Sequence, residues 1–212
     1  MKIDQKQLWE KLAQENSKYY INSDNGRAIT EQEFRQSGGT AYKQFIAEDE
    51  LIKGKESILD YGCGTGRLTE FMARDFKKVI GVDISAAMIA EGRQRLKELE
   101  NVEFLETDGK SIQLPDESVN LVFSYLVFQH IKERVMVENT FKEIYRVLTP
   151  GGIFKVLLRS DKQKDMNRWW SGVEYNEESI GVLYERLGFR LLKTLPVDRY
   201  AFWLWLQKKY DE

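Results

Sequence analysis

Cysteine occurs once, at Cys63, and histidine once, at His130. A single thiol excludes an intramolecular disulfide and a cysteine-rich zinc centre. Any nucleophile paired with an imidazole would have to use His130. Long apolar runs are missing as well: the longest, Ala201–Leu206, is six residues, far below the ~18 of a membrane span. The opening MKIDQKQLWEKL lacks the apolar stretch of a secretory leader. The expectation is a cytoplasmic chain without membrane contact. Nor is there an excess of one charge, with 32 Lys and Arg against 34 Asp and Glu for a net charge of −2. Affinity drawn mainly from neutralising nucleic-acid phosphates is therefore not expected.

What is present is enough for a core. The 212 residues are 42% hydrophobic, and a chain of this size buries roughly 70% of its unfolded surface. Three prolines (Pro115, Pro150, Pro196) and 15 glycines punctuate it. Strand-like stretches are Ser57–Tyr61, Lys78–Asp83, Val102–Glu106, Val119–Tyr125 and Ile153–Leu158, each short and bounded by turn residues. Between most of them the apolar period becomes helical, as in Leu68, Phe71, Met72 and Phe76, or Phe141, Ile144, Tyr145 and Leu148. Strands alternating with helices imply a mainly parallel sheet covered on both faces.

The two ends differ from this pattern. A last helix around Ile180–Leu187 closes at Gly188, and two strands follow, Phe189–Leu195 and Tyr200–Gln207. The linker Pro196-Val197-Asp198-Arg199 is too short for a crossover, so these strands form an antiparallel hairpin. Ahead of the first strand, residues 1–55 read as a helical cover. Asp4–Glu15 suits one helix, and Thr30-Glu-Gln-Glu33 is a capping box that opens another. Gly38-Gly39 inside that second helix implies either a break or a closely packed neighbour.

Chemistry concentrates in Ile58-Leu-Asp-Tyr-Gly-Cys-Gly-Thr-Gly-Arg-Leu-Thr69, a strand, a glycine-rich turn and a helix start. Such a turn lets a ligand approach the main chain closely. Asp83 ends the next strand, 21 residues after Gly62, where a carboxylate can accept from both hydroxyls of a ribose. Asp108-Gly109 follows the third strand. A dinucleotide fingerprint would place its third glycine at position 67, which is Arg67. Asp60 beside the loop would repel a pyrophosphate and favour an ammonium. Both observations point to a nucleoside that carries an amino acid.

These segments resemble the class I S-adenosylmethionine-dependent methyltransferases. Ile58–Gly66 is similar to their first motif, Gly81-Val-Asp-Ile-Ser85 to their ribose-binding strand end, and Val102–Gly109 to their adenine-contacting segment. Val119–His130 and Arg146–Phe154 are similar to the fourth strand and the turn into the fifth. The resemblance covers about residues 56 to 160. It implies an α/β fold, a doubly wound, mainly parallel, seven-stranded Rossmann-like sheet with a reversed last strand and the helical cover. One domain is expected over 1–212, with a core at 56–160 and a lid segment, last helix and hairpin at 161–212.

By the same resemblance, Asp60, Gly62, Cys63 and Gly64 would line the methionyl part of S-adenosyl-L-methionine, Asp60 reaching its ammonium through water. Asp83 would hold the ribose, with Ile84 and Met88 against adenine or simply in the core. Asp108 would accept from the adenine amine beside Gly109, and Tyr125 would lie near the sulfonium. His130 is the candidate general base, needed only for a protonated acceptor. Its alternative role is to orient the helix that follows. Tyr19, Tyr20, Arg159, Trp169 and Trp170 are candidate acceptor-binding residues, or the apolar underside of a lid.

Cytosine C5 methylation needs a cysteine nucleophile, whereas Cys63 falls in the cofactor loop. Ser124-Tyr125-Leu126-Val127 lacks the Asn/Asp-Pro-Pro-aromatic stretch of amino-methylating relatives. DNA is therefore an unexpected substrate. The preferred reading is methyl transfer to an oxygen or nitrogen of a small molecule. A protein side chain or RNA as acceptor, or cofactor binding without catalysis, stay open, and a nicotinamide oxidoreductase is disfavoured by Arg67 and Asp60.

Overall fold

The computed structural model describes residues 4–21, 29–160 and 172–210. The chain forms two compact units, Met1–Asp108 and Gly109–Glu212.

The first unit is built on three parallel strands, β1 (Ser57–Tyr61), β2 (Lys78–Asp83) and β3 (Val102–Glu106). All five residues of β1 and four of the six in β2 are buried. Strands covered on both faces read as apolar runs rather than alternations. Helices α3 (Thr69–Asp75) and α4 (Ala86–Arg95) connect them, and α1 (Gln5–Ile21) and α2 (Glu31–Tyr42) precede them. The first helix is longer than the sequence suggests and is interrupted at Asn16, which has extended backbone (φ −170°, ψ 87°). Asn16 Oδ1 accepts from the Tyr19 amide at 3.0 Å, so the asparagine restarts the helix as a cap would.

In α2 the capping box is present, with Thr30 and Glu33 bonded reciprocally. Gly38-Gly39 does not break the helix. A Cβ on Gly38 would lie 2.3 Å from the Arg67 carbonyl oxygen, so the residue is glycine because the turn leading into α3 leaves no room. A π-helical turn, Lys43–Ala47, then ends the segment.

The second unit contains β4 (Val119–Ser124), β5 (Leu148–Arg159), β6 (Phe189–Pro196) and β7 (Ala201–Lys208), with α5 (Arg134–Val147) and α6 (Glu177–Arg186). Strand β4 is parallel to β5, while β7 runs antiparallel to both β5 and β6. Phe141 packs edge-on against Phe128, Phe154 and Phe189 to form its aromatic core. β5 begins at Leu148, five residues before the expected Ile153, because a register shift between Val119 and Leu121 absorbs Pro150-Gly151. The hairpin is as expected, and β7 lies inside the sheet, which explains why Ala201–Leu206 is apolar on both faces. Among the described residues the order of the seven strands is β3-β2-β1-β4-β5-β7-β6, a doubly wound mixed sheet with the last strand reversed.

Candidate cofactor site

The loop leaving β1 is fixed by its own backbone. The amides of Gly62 and Cys63 both donate to the Val82 carbonyl, at 2.7 and 3.0 Å, tying the loop to β2. Gly62, Gly64 and Gly66 have φ of 79°, 55° and 82°, a left-handed region where a side chain costs roughly 1–2 kcal/mol per residue. A second reason applies at Gly66, where a Cβ would come within 2.9 Å of Phe104 and 3.0 Å of Leu96. Arg95 Nη1 donates to the Thr65 carbonyl at 2.7 Å and so holds the crest of the loop from α4.

Asp83 closes the arrangement. Its Oδ2 accepts from the Gly64 amide at 2.9 Å and its Oδ1 from the Ser85 amide at 3.0 Å. One carboxylate thus bridges the loop after β1 and the turn after β2. Burial pushes its pKa up, against the pull of those amides. Asp60, 5% exposed, accepts from Thr69 Oγ1 at 2.7 Å. Its pKa is raised to about 6, chiefly by lost hydration and further by Asp83, with Thr69 and Arg67 opposing. Two neighbouring carboxylates are therefore short of positive charge, and a cationic ligand would relieve both. The Thr65 hydroxyl is buried with no hydrogen-bond partner, and a buried unsatisfied group in a glycine loop is a place where a ligand atom can bond. These residues fit a nucleoside with an amino-acid tail, and they would resist an anion.

Gly62 and Gly64 form the loop, and Ile84 is partly exposed beside Asp83. Met88 is 1% exposed and gives its side chain to the interior. Cys63 contributes only backbone: its side chain packs with Ile89, Leu96 and Phe104, and burial raises its thiol pKa well above the ordinary value. A thiolate nucleophile at Cys63 is thereby disfavoured. Asp108 is exposed two residues beyond β3. Tyr19 and Tyr20 lie on α1, edge to face at 5.0 Å, with the Tyr20 hydroxyl donating to Glu15.

In the second unit Gly109 has φ 76°. Tyr125 follows β4 and stacks on Trp203 at 5.6 Å with 13° between planes. His130 ends a short 3-10 turn, Phe128–His130, its Nε2 lying 3.2 Å from Gln129 Nε2. Arg159 is 5% exposed on β5, with Nη2 4.0 Å from Glu174 Oε1. Trp169 and Trp170 lie outside the described residues.

Sequence reasoning passed over two contributors, Thr69 and Arg95, and one backbone feature of the second unit. Leu126 holds φ 60° directly after Tyr125, and a non-glycine residue there stores strain of order 1 kcal/mol. No local pattern marks a strained leucine. Arg95 could have been read only from its position at the end of the second helix after the glycine loop.

Residues 58–152 match a family model described as a methyltransferase domain. Malonyl-[acyl-carrier protein] O-methyltransferase of Marinomonas sp. is 32% identical over 124 residues, 57% of this chain and 44% of that protein. Phosphoethanolamine N-methyltransferase 1 of Arabidopsis thaliana is 30% identical over 71% of this chain and 32% of its own length. A ubiquinone/menaquinone biosynthesis C-methyltransferase of Escherichia fergusonii is 28% identical over 55% of this chain and 47% of its own. The chain thus spans about half the length, or less, of these curated relatives. Among solved structures, a SAM-dependent methyltransferase from Aquifex aeolicus superposes with TM-score 0.65 at 21% identity, covering 85% of this chain and all of that one. A Pyrococcus horikoshii protein gives 0.70 at 23% identity, over 90% and 98%. These structures share the fold. The glycine loop, the acid that closes it, the strand order and the methyltransferase domain matched over residues 58–152 make the chain similar to the class I S-adenosylmethionine-dependent methyltransferases, whose cofactor is S-adenosylmethionine.

Proposed function

We propose that this chain transfers a methyl group from S-adenosylmethionine to an oxygen or nitrogen of a small molecule. The observation that carries the cofactor half is the pair Asp60 and Asp83, two under-neutralised carboxylates at the glycine loop, the second bonded to Gly64. Asp83 holds the ribose, Asp60 faces the ammonium through water, and the Gly62–Gly66 backbone lies along the methionyl part. Asp108 with Gly109, and Ile84, serve the adenine. The cofactor supplies a methyl group on a sulfonium, already activated for departure. What remains for the protein is to hold an acceptor atom in line, at about 3–3.5 Å.

The small-molecule half rests on different support. The near-neutral charge argues against a nucleic-acid surface. Of the relatives cited above, one is named for ubiquinone/menaquinone biosynthesis and one for phosphoethanolamine. The C-methyltransferase among them makes carbon an acceptor worth including in any screen. Within this proposal residues 1–212 work as one methyltransferase domain, Tyr125 serves the sulfonium, and His130 is the base where the acceptor carries a proton. The test is transfer of radiolabelled methyl from S-adenosylmethionine to a panel of small alcohols, phenols, amines and carboxylic acids, with bulk RNA and protein as the opposing arms. Label in a small molecule supports the reading. Label only in RNA or protein overturns its acceptor half.

A further inference from the structure

The first helix does more than cover the sheet. It touches the end of β3 and the turns after β2 and β1 in succession. Lys6 Nζ meets Glu106 Oε1, the last residue of β3, at 2.5 Å. Glu10 Oε2 accepts from Ser85 Oγ at 2.8 Å and from the Ala87 amide at 3.2 Å, in the turn after β2. Ile21 packs against Gly64 in the loop after β1, close enough that a Cβ there would lie 2.8 Å from it. Helix α1 is thus a strap across the edge that carries Asp83, Ile84 and Asp108.

Glu10 has a particular task within this strap. Ser85 is the N-cap of α4, and its Oγ accepts from the Met88 amide at 3.2 Å. A capping box would complete the cap with Glu or Gln at the third helical position. Here that position is Met88, an apolar residue. The Ser85 amide that such a residue would take is held by Asp83 Oδ1, and Glu10 on α1 adds a second grip from outside, accepting from the Ser85 hydroxyl and from the Ala87 amide, a donor the helix start leaves open. The turn Asp83-Ile84-Ser85 is therefore gripped twice, by Asp83 from within and by Glu10 from a helix about 75 residues earlier.

We propose that Glu10 is a cofactor-positioning residue, completing the α4 cap in trans and so setting the turn that presents Asp83 and Ile84. The inference rests on the cofactor assignment above. Because one docked helix shapes the turn, S-adenosylhomocysteine binding and α1 docking favour one another, and the coupling is reciprocal.

The test compares the native chain with Glu10→Gln and Glu10→Ala in calorimetric titration with S-adenosylhomocysteine. The expected result is affinity about tenfold weaker for Glu10→Ala, the size of a lost hydrogen bond to a charged group, with Glu10→Gln in between because it still accepts from Ser85. Where a methyl acceptor is in hand, KM for S-adenosylmethionine should rise while kcat holds, a split that general loss of structure does not give. Trypsin should cleave at Lys11 and Lys18 more slowly when S-adenosylhomocysteine is added to the native chain, and this protection should vanish in Glu10→Ala. Native binding with unchanged affinity and protection in both variants overturns the role of Glu10 and leaves the cofactor assignment standing. Absence of binding to the native chain removes the assignment, and the inference with it. Should Glu10→Ala fail to fold, Glu10→Gln decides.

Discussion

The Gly64 amide donates to Asp83 Oδ2 at 2.9 Å, joining the glycine loop after β1 to the acid that ends β2. The bond requires Gly64 at φ 55° with the Ile21 side chain directly over its α-carbon. Alanine there meets both a left-handed backbone and a contact at 2.8 Å. Gly64→Ala should destabilise the chain by about 1–3 kcal/mol and weaken S-adenosylhomocysteine binding. Thermal denaturation alongside titration checks both, and an unchanged affinity would separate the loop from the cofactor.

Asp60 makes stability depend on pH in a direction opposite to most carboxylates. Its folded pKa, about 6, lies above the ordinary 3.8. Between those values the native state holds more protons than the unfolded one, so this group's contribution falls as pH rises from about 4 through 6. Asp60→Asn keeps an acceptor for Thr69 and removes the charge. The variant should gain on the native chain across that window, by up to about 3 kcal/mol above pH 6, while losing affinity for the amino-acid tail. Urea titrations from pH 4 to 7 read the difference; a gap that does not grow with pH contradicts the assignment.

Arg95 is held on several sides at once. It donates to the Thr65 carbonyl at 2.7 Å and to Glu31 Oε1 at 2.8 Å, and it lies over the Phe34 ring at 4.9 Å. Arg95→Met should cost about 1–3 kcal/mol through the carbonyl it strands and should loosen the loop toward the cofactor. Arg95→Lys should recover part of each, since an ammonium lacks the guanidinium fork. Equal affinity in all three proteins would show that the loop keeps its shape without this donor.

Gly38→Ala offers a clean sign test. In an open helix face alanine would stabilise by about 1 kcal/mol. Here the Arg67 carbonyl oxygen is 2.3 Å from the new Cβ, so α2 must move away from the loop's exit. A net loss of about 1–3 kcal/mol is expected, measured as a lower denaturation midpoint; a gain would mean that α2 is not seated as described.

Much of this was legible in the sequence, for identifiable reasons. β1, β2 and β3 match their expected limits because short β-branched runs between turn residues leave little choice. The hairpin at β6 and β7 followed from a four-residue linker that permits nothing else. Asp60 and Asp83 stood out as acids flanking a glycine turn. What stayed hidden depends on contacts between distant segments. The Gly38-Gly39 alternatives could be resolved only by knowing that Arg67 approaches. The extent of β5 turned on a register shift opposite Pro150. Lys6 and Glu10 are one helical turn apart on α1 and read as ordinary surface charges, and nothing near Ser85 in the sequence marks Glu10 as its partner.

The most direct test of the account is calorimetric titration of S-adenosylhomocysteine into the native chain and Asp83→Ala. The native chain should bind, and the variant, still folded by circular dichroism, should bind more weakly by about 1.5–3 kcal/mol, as for hydrogen bonds lost to a charged partner. A folded native chain that does not bind, or an Asp83→Ala variant that binds equally well, would contradict the cofactor site placed at Asp83.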